Sequence, residues 1–208
     1  VSTARVSRRI QIVAESILDD DGWPPAVERI ARTPASHVIR GLFFRGYVDA
    51  LAGDWETIAR TLDAPPALGA YLPLVEYPQS DHARLALAVA ARRYPTLPMR
   101  EALRRLERRA ARAFSESALG RILISVAGDP RKALLHLPSI YRNLQGGGTI
   151  EARNGPRGVR LELRGFAPWL DCSWVGVIEG LVVLFGRRPV LSIDLHGEES
   201  ADYEVEWT

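Results

Sequence analysis

Residues 148–207 constrain this chain more than any other stretch, because they hold two strand pairs separated by one apolar helix. Gly148–Arg153 and Gly158–Phe166 flank Asn154-Gly155-Pro156-Arg157. Residues that accept a positive φ, beside a proline that holds φ near about −65°, predict an antiparallel hairpin. Its faces alternate, with Val159, Leu161 and Leu163 on one side and Arg160, Glu162 and Arg164 on the other. Pro168 opens a helix through Trp169, Cys172, Trp174, Val177, Leu181, Leu184 and Phe185, and Gly186 stops it. The second hairpin turns Leu191, Ile193 and Leu195 inward on one strand and Tyr203, Val205 and Trp207 inward on the other. Gly176 and Gly180 share one face of the helix. A glycine costs about 1 kcal/mol relative to alanine in a helix interior, so the pair predicts either a closely packed backbone or room kept for a ligand.

Upstream the apolar periodicity is helical. Thr33-Pro34 reads as a helix start followed by Val38, Leu42, Phe43, Val48 and Leu51. Asp54 caps a short helix to Leu62, and Ser80 or Asp81 caps another that Tyr94-Pro95 ends. Pro98 begins the longest one, where Met99, Leu103, Leu106, Ala110 and Ala113 form an apolar stripe and six arginines, 100, 104, 105, 108, 109 and 112, cover much of the rest. Ser115–Ser117 marks a break before Ala118–Ala127, and Asp129-Pro130 starts a helix that Pro138 kinks or restarts before the Gly146-Gly147-Gly148 run. The expected fold class is α+β: N-terminal helices packed on a four-stranded antiparallel sheet made of two hairpins, in the order β-β-α-β-β. Residues 33–208 form its single domain. Residues 1–32 are set apart as an N-terminal extension because Asp19-Asp20-Asp21-Gly22-Trp23-Pro24-Pro25 breaks any regular pattern. Arg8–Leu18 within it fits a strand or a helix.

Composition excludes more than it assigns. With 208 residues and 47% apolar content the chain can bury a substantial core, and a net charge of +2 does not argue for nucleic acid or an anionic membrane. The longest apolar run, Val175–Phe185, contains Glu179 and falls short of the about 20 residues of a membrane span, so a cytoplasmic protein is expected. Cys172 is the only cysteine, and His37, His82, His136 and His196 lack ligand spacing, so neither a disulfide nor a metal site is expected. No nucleophile is paired with a base in a familiar arrangement, and the chain reads as a non-enzyme.

The order helix, glycine turn, hairpin, helix with Gly176-Val177-Ile178-Glu179-Gly180, hairpin resembles the fold shared by haem nitric-oxide/oxygen binding (H-NOX) domains, TRAPP tethering subunits and 4-vinyl reductase domains, over roughly residues 34–207. Thr33-Pro34, Val38-Ile39-Arg40-Gly41-Leu42-Phe43-Phe44, Tyr94-Pro95, Arg100-Glu101-Ala102-Leu103, Gly120-Arg121 and Tyr203-Glu204-Val205-Glu206-Trp207 are similar to a myxobacterial paralogue family of about this length. The H-NOX likeness implies a proximal haem ligand within Leu134-Leu135-His136-Leu137-Pro138-Ser139-Ile140-Tyr141, where the ligand position falls on Tyr141. In the first hairpin, Arg160-Leu161-Glu162-Leu163-Arg164 stands in place of the Tyr-x-Ser-x-Arg motif that holds haem propionates. Given these two departures no haem, and no other cofactor, is expected.

Two functional classes follow. The TRAPP likeness implies a regulatory or scaffold module that works by protein association, as a homodimer or with another protein. Arg100, Arg104, Arg108 and Arg112 are its expected partner face, without specific nucleic-acid binding. The alternative is a sensor holding an apolar small molecule, an acyl chain or a tetrapyrrole, between helices and sheet, with Tyr141, Cys172, Gly176 and Gly180 at the pocket. The acidic residues Asp194, Asp202, Glu204 and Glu206 oppose Arg153, Arg160 and Arg164, and the sequence leaves open whether they pair within a subunit or between subunits.

Overall fold

The computed structural model describes residues 8–13, 16–51, 53–66, 70–116, 118–166 and 169–208. Pro168, the expected first residue of the apolar helix, and Ser117, at the expected helix break, lie outside the described residues.

Both hairpins form where turn chemistry places them. Strands β5 (Thr149–Asn154) and β6 (Val159–Arg164) pair across the Gly155–Gly158 turn, and β7 (Pro189–Leu195) pairs with β8 (Ser200–Trp207). Strand β6 then joins β8, Val159 opposite Val205, so the two hairpins make one sheet. That sheet has five strands and not four. Strand β1 (Arg8–Val13) lies antiparallel to β7 at the edge, giving the order β1-β7-β8-β6-β5. The N-terminal stretch thereby adds a strand to this sheet, and its Ile12, Leu18 and Ile30 are buried in the core. Local pattern could not decide this, since β1 finds its ladder partner more than 170 residues away in sequence.

One sheet face is apolar and buried, with Val159, Leu161, Leu163, Leu191, Ile193, Tyr203 and Val205 at 2% exposure or less. The other carries its charges in cross-strand pairs: Arg160 and Arg164 meet Asp202 at 2.8 and 2.5 Å, and Arg153 meets Glu162 at 2.7 Å. Asp202 of the second hairpin is thus paired with Arg160 and Arg164 of the first within the subunit.

Ahead of the sheet run α1 (Ala26–Ala31), α2 (Arg45–Ala50), α3 (Trp55–Ala59), α4 (Gln79–Arg93), α5 (Met99–Glu116), α6 (Ala118–Ala127) and α7 (Pro130–Leu144), and α8 (Ser173–Val183) lies between the hairpins. Asp129 caps α7 by accepting from the Lys132 N–H at 2.9 Å, and Pro138 is carried inside that helix without ending it. The helix expected from Thr33-Pro34 does not form. Residues 38–40 are β2 (Val38–Arg40), the centre of a small sheet with β3 (Glu76–Pro78) and β4 (Gln145–Gly146). A 3-10 turn at Gly41–Phe43 leads into α2. Val38 and Ile39 are β-branched, and their partners come from two remote segments, which overrides the local helical spacing.

Helix α8 is buried along most of its length, and α5 packs directly on it. A Cβ built on Gly176 would lie 2.1 Å from the Arg104 carbonyl oxygen, and one on Gly180 would lie 2.9 Å from that of Arg108. The glycine face therefore admits the backbone of α5. At the same crossing the Arg104 guanidinium forms a fork with Glu179, Nη2–Oε1 2.6 Å and Nε–Oε2 2.9 Å, both side chains at 2% exposure or less. Arg104 also reaches Glu101 at 3.2 Å and the Ser16 carbonyl at 2.5 Å. The N-terminus of α5 is capped from afar, by Asp20 accepting from the Met99 and Arg100 N–H groups at 2.8 and 3.0 Å.

Candidate functional site

Three helices present the same spacing to one interior space. Gln79, His82, Ala83 and Ala86 on α4, Glu107, Ala110, Ala111 and Phe114 on α5, and Leu137, Ile140, Tyr141 and Leu144 on α7 each follow i, i+3, i+4, i+7. Ser173, Trp174, Val177 and Leu181 of α8 close a fourth side, with Ile39, Phe43 and Tyr47 from β2 and the following turn and helix. Four alanines among the α4 and α5 residues leave a mostly apolar cavity of about 200 Å³.

Gln79, Gln145 and Ser173 contribute polar groups to the lining, and Tyr47, His82 and Glu107 form a cluster of their own. The Tyr47 hydroxyl donates to Glu107 Oε1 at 2.7 Å, and the His82 ring lies 5.0 Å from the Tyr47 ring, centroid to centroid. Burial raises the Glu107 carboxyl to about 7, against the opposing hydrogen bond from Tyr47. Burial also lowers His82 to about 4, so its imidazole is neutral and offers one donor and one acceptor. Among the described residues no arginine or lysine lines the cavity.

Of the four residues expected at a pocket, only Tyr141 lines this one. Its ring packs on Phe166 and Trp174, centroids 4.9 and 5.7 Å away, and its hydroxyl donates to the Gly147 carbonyl at 2.5 Å. Burial raises its pKa and so opposes the tyrosinate. Gly176 and Gly180 face α5 and leave no space for a ligand. Cys172 is fully buried away from the cavity, its thiol pushed well up by desolvation and by Asp171, which makes it a packed and unreactive sulfur.

The arginine face expected to meet a partner is divided by the fold. Arg100 and Arg104 are 5% and 2% exposed, because most of the first half of α5 is buried, Arg105 apart, and their guanidiniums pair with Asp171 and Glu179. Arg108 is half-buried and Arg112 exposed, so any contact through these four arginines is confined to the C-terminal half of α5. His136 is on the surface of α7. Among the described residues no group of histidine, cysteine and acidic side chains is placed to hold a metal, and no helix is long and apolar enough to cross a membrane.

Sequence reasoning missed Tyr47, His82 and Glu107. The signal available was the repeated i, i+3, i+4, i+7 stripe, rich in alanine on α4 and α5, with a histidine in one copy and a glutamate in the other.

Residues 32–208 match one family along their whole length. The chain belongs to DUF2378, described as a protein of unknown function. None of the curated proteins matches this member of DUF2378. Solved H-NOX structures share its fold. An H-NOX protein from S. oneidensis in the Fe(II)NO ligation state is 14% identical, covers 82% of this chain and 99% of its own, and has a TM-score of 0.63. An Fe(II) unliganded H-NOX protein from K. algicida is 13% identical, over 82% of this chain and 97% of its own, with a TM-score of 0.61. The likeness shows for this chain an H-NOX-type arrangement of helices and antiparallel sheet.

Proposed function

We propose that this DUF2378 domain is a non-enzymatic binding module that holds a small, neutral, apolar molecule between α4, α5, α7 and α8. What carries the reading is the cavity itself, mostly apolar in its lining and carrying a hydrogen-bonding cluster of Tyr47, His82 and Glu107. An apolar cavity of about 150 Å³ is enough to hold benzene, so one of about 200 Å³ suits a ring modestly larger than that. A hydroxyl or amide on such a ring finds a donor and an acceptor on His82. A carboxylate finds only Glu107 and no cation.

H-NOX proteins are haem proteins, and three observations count against haem in this cavity. The Tyr141 hydroxyl is committed to the Gly147 carbonyl, and its burial disfavours the anion that iron would need. The described lining residues include no cation for haem carboxylates. The space is scaled to one ring and a tetrapyrrole has four. The residues do not fit haem.

The test is a thermal-shift titration with cyclohexanol, phenol and benzoate, alongside native mass spectrometry of the protein as purified. Cyclohexanol and phenol raise the melting temperature saturably, benzoate does not, and Ala110→Phe, which fills the cavity, abolishes the response. If none of the three shifts the wild type and no small-molecule mass accompanies it, the cavity is a packing void and the binding reading falls.

A further inference from the structure

A second hollow of about 220 Å³ lies on the other side of α5's N-terminus, between the 21–29 segment and the sheet. Two guanidiniums line it, Arg29 at 6% and Arg100 at 5% exposure, and a single buried carboxylate, Asp171, stands between them. Arg29 Nη1 is 3.5 Å from Asp171 Oδ1, and Arg100 Nη2 is 3.2 Å from Oδ2. Arg100 Nη1 donates to the Asp19 carbonyl at 2.9 Å. Neither Nε–H has a partner, and neither does the indole N–H of Trp23, whose ring lies under the Arg29 guanidinium with a separation of 5.8 Å.

Two buried cations against one carboxylate leave a formal positive charge at the base, together with three unsatisfied donors. Both conditions are costly in a protein interior and both are relieved by an oxyanion. The rim has the opposite sign. Asp21 and Glu198 line the mouth and are exposed, and Glu198 is shared with Arg32 at 3.2 Å. Positive depth and acidic mouth complement a molecule with a carboxylate at one end and an ammonium at the other. They oppose a polyanion.

We propose that this hollow binds a small amino-acid-like zwitterion, its carboxylate on Arg29 and Arg100 and its ammonium toward Asp21 and Glu198. Trp23 and Arg29 precede the residues that match the family, so the site belongs to this chain's N-terminal segment docked on the DUF2378 fold. It is separate from the interhelical cavity and independent of what that cavity holds.

The experiment is calorimetric titration of the full chain with L-leucine, acetate and inorganic phosphate at fixed ionic strength, followed in parallel by the Trp23 indole N–H resonance. Leucine binds saturably and moves that resonance, acetate binds at least fivefold more weakly, and phosphate shows no saturable binding. Arg29→Gln weakens leucine at least tenfold. Asp21→Asn, on the exposed rim, weakens leucine at least threefold and leaves acetate unchanged. Absence of saturable leucine binding, or binding that neither moves the Trp23 resonance nor responds to Asp21→Asn, overturns the proposal even if Arg29→Gln fails to fold. Equal affinity for acetate and leucine removes the zwitterion assignment.

Discussion

Replacing Gly176 with alanine tests the packing on which the whole helical layer rests. In an exposed helix this change is favourable by about 1 kcal/mol, the propensity difference between glycine and alanine. Here the new methyl would sit 2.1 Å from the Arg104 carbonyl oxygen and 3.0 Å from the Arg108 nitrogen. Backbone atoms at that distance cannot swing aside as a side chain would, so α8 must move off α5 by more than an ångström. Overpacking of this kind costs about 1–3 kcal/mol. The upper end applies, because Arg104 and Glu179 meet at the same crossing and their fork lengthens as the helices part. Offsetting the propensity gain leaves a net loss of about 2 kcal/mol, or a fall of about 4–8 °C in melting temperature for a chain of this size. The control is Gly46→Ala in α2, where an added methyl meets nothing within 4 Å; it should be neutral or stabilising by up to about 1 kcal/mol. Thermal and urea unfolding of both variants measure the contrast. If Gly176→Ala melts at or above the wild-type temperature, the close crossing of α5 and α8 is wrong.

Four further outcomes follow from the buried charges and the cavity. Glu107 keeps its proton to about pH 7 when folded and to about 4.5 when unfolded, so folding stability falls by up to about 3 kcal/mol as pH rises through that window. Glu107→Gln, which preserves an acceptor for Tyr47, should therefore raise the melting temperature at pH 8 and change it little at pH 5. With that slope removed, the opposite one from His82 should emerge, stability being lost as pH falls from about 6.5 toward 4. Arg104→Met strands the buried Glu179 carboxylate and should cost about 3–5 kcal/mol by denaturant unfolding, whereas Arg104→Met with Glu179→Leu should recover most of it. Incubation with hemin should give no stoichiometric Soret band; such a band, lost in Tyr141→Phe, would show that the cavity opens to a tetrapyrrole.

The two hairpins were legible in the sequence because short-range chemistry specifies them. Asn154-Gly155-Pro156-Arg157 can do little but turn, and the two-residue alternation on either side states which face is buried. Helices α5 and α7 were legible for the same reason, through spacing and proline starts. What the sequence could not contain is where remote segments meet. Val38-Ile39 carries helical spacing yet becomes a strand, since β3 and β4 arrive from residues 76–78 and 145–146 to pair with it. Arg8–Val13 becomes a fifth strand only in the presence of β7. The same holds for charge. Arg100 and Arg104 look like part of a solvated helix face, and only the tertiary structure supplies Asp171 and Glu179, which make their burial tolerable. Glu107 and His82 acquire their shifted protonation from the cavity walls around them, and those walls exist only once α4, α5, α7 and α8 are packed. Local backbone preference acts over a few residues and is written in order along the chain, whereas desolvation and ion pairing act between groups that only folding brings together.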